Sequence, residues 1–166
     1  VEGLDRYFGF SGCIDAEEAF SFVEGRLLAL IFSMLAVGAG LQNSGAISLL
    51  VDTIAPTLGT LSPVLVIFCV FFLTTILTEI VSNNAVAVIM TPIAISLAAA
   101  LGLDPRPLVV AVMIAASCAF ATPIGYQTNT LVYGPGGYRF TDFMKVGVPL
   151  NLSMSVVASL VIPLFW

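Results

Sequence analysis

Two apolar runs, residues 61–77 and 85–101, meet at Thr78-Glu79-Ile80-Val81-Ser82-Asn83-Asn84, and this junction limits what the chain can fold into more than any other feature. Each run holds 17 residues. As an α-helix rising about 1.5 Å per residue, a run of that length reaches about 25 Å, short of a bilayer core of about 30 Å. Two short arms meeting at a polar turn predict a re-entrant hairpin over 61–101, with its tip at 82–84. Non-helical backbone survives at membrane depth only where it is buried in protein or lines a wet cavity, because unpaired N–H and C=O groups are costly in hydrocarbon. A polar tip there predicts a site.

The junction sits in a chain of 166 residues that is 59% hydrophobic and 9% charged, a balance foreign to soluble domains of this size. The expected fold class is an all-α integral membrane protein with transmembrane helices, one re-entrant hairpin and one discontinuous helix. Alternating segments of about ten residues, which a membrane β-barrel needs, are missing. Five basic residues without a patch exclude a nucleic-acid partner. Cys13, Cys69 and Cys118 give an odd count; the last two lie in apolar stretches and read as small core residues, and the three offer neither a disulfide framework nor a metal site. With no His, the chain also lacks a general base suited to neutral pH. Starting on Val1 without a signal-peptide pattern, it reads as part of a longer chain.

In chain order, residues 1–25 form a loop followed by a surface helix over 16–23, capped by Asp15, with Tyr7, Phe8 and Phe10 suited to the headgroup level. Residues 26–60 hold a first span, ended by Asn43-Ser44-Gly45, and an amphipathic interfacial piece with Asp52 on its polar side and Pro56 interrupting it. Gly38 and Gly40 permit close helix packing in that span. After the hairpin, 102–107 is a water-exposed connection with Asp104 and Arg106. A broken helix covers 107–138, its break at 122–130, where proline, glycine and several polar side chains interrupt the apolar pattern. Residues 139–166 hold a short amphipathic segment and the last span, with Trp166 at an interface. Placing Arg26, Arg139 and Lys145 in the cytoplasm and Arg106 outside obeys the positive-inside bias.

A helix that ends at membrane depth presents carbonyls, and one that begins there presents N–H groups, with partial charges to match. Backbone and side-chain oxygens at Thr78, Val81, Ser82, Asn83 and Gly125 are hard donors of the kind a small alkali cation accepts. N–H groups and amides at Asn83, Asn84, Asn129 and Thr130 suit an oxyanion. No Lys or Arg lies in the hairpin or the break, so cation and anion binding would depend on each other.

These residues carry a resemblance. Thr78-Glu79-x-x-Ser82-Asn83-Asn84-Ala85 resembles the second Ser-Asn-Thr hairpin motif of the divalent-anion/sodium symporter family, the sodium-coupled sulfate and dicarboxylate carriers. Ser117-Cys118-Ala119-Phe120-x-Thr122-Pro123-Ile124-Gly125-Tyr126-Gln127-Thr128-Asn129, continued through Val132-Tyr133-Gly134, Gly136-Gly137-Tyr138, Asp142 and Gly147-x-Pro149-Leu150-Asn151-Leu152, is similar to its second broken helix. The resemblance implies an elevator-type carrier, dimeric, of which this chain is the second inverted repeat and needs the N-terminal half of the same permease. It implies a sodium site at Thr78, Val81, Ser82, Asn83 and Gly125, and substrate contacts from Ser82, Asn83 and Asn84 with Thr128 and Asn129 nearby. Sodium would be the coupling ion and no other cofactor is expected. Asn84 stands where the family usually has Thr, and Tyr126-Gln127 where many dicarboxylate carriers have Thr-Pro. That form is closest to members assigned inorganic sulfate.

The expected function is therefore sodium-coupled symport of a small oxyanion, sulfate or a dicarboxylate, by a multi-pass protein of the plasma (inner) membrane. An ion channel or a non-transporting membrane scaffold subunit is the alternative, and an enzyme is not expected, because no nucleophile has a base within the apolar segments.

Overall fold

The computed structural model describes residues 25–165. The loop and surface helix expected over 1–25 lie outside the described residues apart from Gly25, as does Trp166. The chain divides into two units, residues 1–34 and 35–166. Only the opening turns of one helix are described in the first, and the packing and the site below concern the second.

Among the described residues all regular structure is helical, without a strand: α1 (Gly25–Asn43), α2 (Ala46–Leu58), α3 (Pro63–Thr78), α4 (Asn83–Leu101), α5 (Pro105–Ala115), α6 (Gln127–Tyr133) and α7 (Phe140–Val161), the last extended by a 3-10 turn at Ile162–Leu164. By length and composition, α4 and α7 with its extension are able to cross a membrane. At 16 and 11 residues, α3 and α5 are shorter.

Local chemistry sets most of the boundaries. Gly45, at φ 74, separates α1 from α2. Asp104 caps α5 by accepting the Arg106 N–H at 2.9 Å, and Pro105 takes the first helical position, two residues ahead of the Pro107 start read from the sequence. Gly102, at φ 68, closes α4 while the Leu103 N–H reaches back to the Ala98 carbonyl. Other boundaries depart from the apolar pattern. Pro56 does not interrupt α2, which runs on to Leu58; its missing N–H forgoes one helical bond without ending the helix. The segment over 140–146 and the span after it form one helix, α7, with Pro149 inside. Asn83 and Asn84 are the first residues of α4, so that arm of the hairpin has 19 residues rather than 17.

At the centre is α3, apolar on every side, which packs on α5, α7 and α4, while α4 also packs on α5 and α2. Its Val66, Ile67, Val70 and Phe71 are buried. Buried hydroxyls on Thr74 and Thr75 donate to the carbonyls one turn back, Val70 at 2.6 Å and Phe71 at 3.0 Å, so neither is left unpaired. The neighbours offer small faces: Leu108, Ala111, Val112 and Ala115 on α5, and Gly147, Asn151, Ser155, Ala158 and Ser159 on α7. Lipid is as apolar as these side chains, so close approach of small residues and a few polar contacts hold such helices together. Gly38 of α1 lies beside Val88 of α4, but a Cβ there would make only an ordinary contact at 3.6 Å and one at Gly40 would meet nothing, so the close packing expected of these two glycines does not depend on them. Outward-facing side chains are greasy, with Leu49, Leu131 and Leu164 exposed by 73%, 72% and 79%, a surface suited to lipid or further protein.

Candidate functional site

Four helix ends gather around two interruptions. The first is the turn at 79–82 between α3 and α4; the second is the unwound stretch 116–126 between α5 and α6. The apolar pattern suggests that the helix before the second interruption runs to Ala121 and breaks at 122–130, but it stops at Ala115 and helix resumes at Gln127. The Ala116, Ser117 and Cys118 N–H groups still bond back into α5, but the Ala121 and Thr122 N–H groups and the Ala119, Thr122 and Pro123 carbonyls find side-chain partners outside it, and there the helix has unwound.

The turn is closed by its own backbone. Ile80 and Val81 N–H groups donate to the Leu77 carbonyl, and the Val86 N–H donates back to Ser82. Ser82 occupies the N-cap of α4 without a side-chain bond to the helix and is exposed, as is Asn84. Capping therefore leaves the Ser82 hydroxyl uncommitted. Thr78, completely buried, ends α3 with its hydroxyl oxygen 2.7 Å from Asn83 Oδ1 and 2.8 Å from the Ala116 carbonyl. A hydroxyl has one proton and donates to one acceptor at a time, so this corner brings three oxygens together around a single proton.

Glu79 reaches across to the second interruption. Its Oε1 accepts the Ala121 N–H at 2.7 Å, and its Oε2 accepts the Thr122 N–H at 2.8 Å. The Thr122 hydroxyl donates to the Glu79 carbonyl at 3.1 Å and accepts the Gly125 N–H at 3.0 Å. The other face of the stretch is closed by α6: Asn129 Nδ2 donates to the Ala119 and Thr122 carbonyls, each at 3.0 Å, and the Thr130 hydroxyl donates to Pro123 at 2.8 Å. Gly125 fits because it lacks a side chain; a Cβ would stand 2.9 Å from Glu79 Oε2 and 3.0 Å from both Ala119 Cβ and Thr122 Oγ1.

A third element enters from α7. Asn151 Nδ2 donates to Glu79 Oε1 at 2.8 Å, while Asn151 Oδ1 is buried without a hydrogen-bond partner. One turn earlier, Gly147 lies directly against the backbone of Phe120 and Ala121, where any Cβ would overlap.

Thr78, Asn83, Gly125 and Asn129 thus belong to one connected set, joined through Glu79, Thr122 and Ala116. Val81, Ser82, Asn84 and Thr128 are exposed at the helix ends beside it. Asn129 and Thr130, expected to face an oxyanion, have their side chains bonded to the backbone of the unwound stretch. Asn151 lies within the family motif, which implies no role for it; the signal in the sequence is an amide inside an apolar span, since such groups in membrane helices usually have a specific partner. Among the described residues no group of three or more Cys, Asp or Glu side chains is placed to hold a metal ion. Cation chemistry here would rest on neutral oxygens and helix-end carbonyls, and anion chemistry on N–H groups.

The known proteins to which this chain is similar are transporters. The family model described as citrate transporter matches residues 7–166. An uncharacterized transporter of Synechocystis is 40% identical over 94% of this chain, and one of Escherichia coli, YfbS, is 38% identical over 93%. A probable sodium/sulfate cotransporter of Chlamydomonas reinhardtii is 30% identical over 92%. The chain spans 26%, 25% and 17% of the lengths of these relatives, respectively.

Proposed function

The chain belongs to the citrate transporter family, a family of transporters and not of enzymes, and on that premise we propose that it forms one half of the binding site of a sodium-coupled symporter for a small oxyanion, with inorganic sulfate the favoured substrate. The observation that carries this reading is the joining of the two interruptions, through Thr78 to Ala116 and through Glu79 to Ala121 and Thr122, which sets carbonyl-presenting and N–H-presenting helix ends side by side.

Sodium would sit among the oxygens of Thr78, Val81, Ser82, Asn83 and Gly125. Asn83 has two ways to meet the Thr78 hydroxyl: its NH2 can donate to that oxygen, or its Oδ1 can face the same space and help to hold a cation. Turning the amide over would let one side chain serve the empty and the loaded site. The anion would lie against Ser82, Asn83 and Asn84 at the start of α4, where N–H groups and the helix dipole favour negative charge, with Thr128 exposed on the far side. No Lys or Arg is available there, so the bound cation supplies the missing positive charge and the anion binds weakly without it. The N-terminal half of the same permease would complete the cavity, in a homodimer in the plasma membrane, the inner membrane of a bacterium. Sulfate is favoured over larger carboxylates because the form Tyr126-Gln127-Thr128-Asn129 resembles that of sulfate-assigned members and because named sodium/sulfate cotransporters are among the relatives.

Uptake of labelled sulfate into proteoliposomes carrying the full-length permease tests the reading. Uptake is expected to saturate, to disappear when choline replaces sodium, and to be lost in Asn83→Ala protein that inserts normally. Stronger competition by succinate or citrate than by unlabelled sulfate would reassign the substrate. Current that does not saturate with substrate would replace the carrier by a channel.

A further inference from the structure

We propose that Glu79 is the positioning residue of this site: its carboxylate locks the hairpin tip, the unwound stretch and α7 into one unit, and the ion-binding groups on both interruptions stay in register only while it keeps its donors. The effect on transport rests on the function proposed above; the mechanical role does not.

The argument starts from what each partner lacks. Because α5 ends at Ala115, Ala121 and Thr122 are not in a helix, and their N–H groups are the donors that Glu79 takes at 2.7 and 2.8 Å. An acid in an apolar setting is costly unless it is fully engaged, and here backbone and amide donors from two further elements converge on it. The contact is returned when the Thr122 hydroxyl donates to the Glu79 carbonyl, so tip and stretch are tied in both directions. On one side of Glu79 its chain neighbour Thr78 meets Asn83 and Ala116; on the other, Gly125 lies so close to Oε2 that a Cβ would stand 2.9 Å away. Any shift of the carboxylate therefore shifts groups assigned to the cation on both interruptions.

Asn151 supports the same conclusion. Its NH2 is engaged by Glu79 while its oxygen is buried without a partner. Its amide adds a donor from α7 to those of the unwound stretch, so α7 is tied to the hairpin tip through the Glu79 carboxylate. A purely structural Glu79 would lower stability and leave the affinities alone; a positioning one moves the affinities for both ligands together.

The test uses the full-length permease in proteoliposomes for sulfate uptake and in nanodiscs for amide hydrogen exchange. Glu79→Gln keeps the size and one acceptor oxygen but turns an NH2 toward at least one N–H donor. The half-saturating concentrations of sodium and of sulfate are both expected to rise by about tenfold or more, as for loss of one hydrogen bond to a charged group. Exchange at the Ala121 and Thr122 amides is expected to speed up by a similar factor. Asn151→Ala should move the same readouts in the same direction by less, and the double variant should be no worse than Glu79→Gln alone, because both act through one contact. Unchanged half-saturation for sodium and sulfate in Glu79→Gln overturns the proposal whether or not exchange speeds up, and so does additivity in the double variant. Should Glu79→Gln fail to insert, Asn151→Ala decides through the same two readouts. If the wild-type protein takes up no sulfate with sodium, the functional reading falls, and exchange at the two amides alone decides the role of Glu79.

Discussion

The turn at 79–82 and the unwound stretch at 116–126 both interrupt apolar helices, yet they are held in opposite ways. The turn closes on itself: its N–H groups bond to carbonyls within a few residues, and the polar side chains of Ser82 and Asn84 stay exposed. The stretch is held from outside, by Glu79 from the tip, by Asn129 and Thr130 from α6, and by the flat surface of Gly147 from α7. An interruption that satisfies its own backbone leaves side chains over for a ligand, whereas one that borrows its partners has most of its polar groups already engaged. The two are therefore unequal halves of a site, and substitutions should separate them.

The largest effect is expected at Gly147. An added Cβ overlaps the Phe120 carbonyl and Ala121, and the obstacle is backbone, which cannot swing aside. Gly147→Ala should cost about 3 kcal/mol or more, read as a large fall in melting temperature in nanodiscs together with loss of protection across 116–126. A near-wild-type melting temperature would mean that α7 does not brace the stretch. Next comes Asn129→Ala, which removes donors to the Ala119 and Thr122 carbonyls. Two neutral bonds in a membrane setting are worth about 1–2 kcal/mol together, and loosening should be confined to the stretch and leave the hairpin turn as protected as before. Spread of the loosening to 79–82 would contradict the self-contained character of that turn.

The smallest effect on stability is expected at Ser82. Removing a working N-cap serine costs about 0.5–2 kcal/mol, but this hydroxyl makes no capping bond, so Ser82→Ala should leave the unfolding free energy within about 0.5 kcal/mol of wild type. Sulfate uptake should nonetheless weaken, and this split between stability and affinity is the sharpest form of the comparison. A drop in stability with unchanged uptake would return Ser82 to an ordinary capping role.

Helical class, membrane setting and the polar hairpin tip were legible in the sequence because each rests on local chemistry: long apolar runs almost free of charge, glycines at helix ends, and a cluster of Thr, Ser and Asn where two runs meet. The family was legible for a related reason, since its motif is a contiguous string from Ser117 to Gly134. What the tertiary structure alone decided is the register of the second interruption and the identity of its supports. From composition the polar residues 122–130 look like the break, but backbone unwinds wherever its hydrogen bonds are better made elsewhere, and the elsewhere is Glu79, 42 residues before Ala121. Asn151, 72 residues beyond Glu79, completes the arrangement. No periodicity or spacing connects such positions; only packing α3 between α5 and α7 brings them within a hydrogen bond of one another.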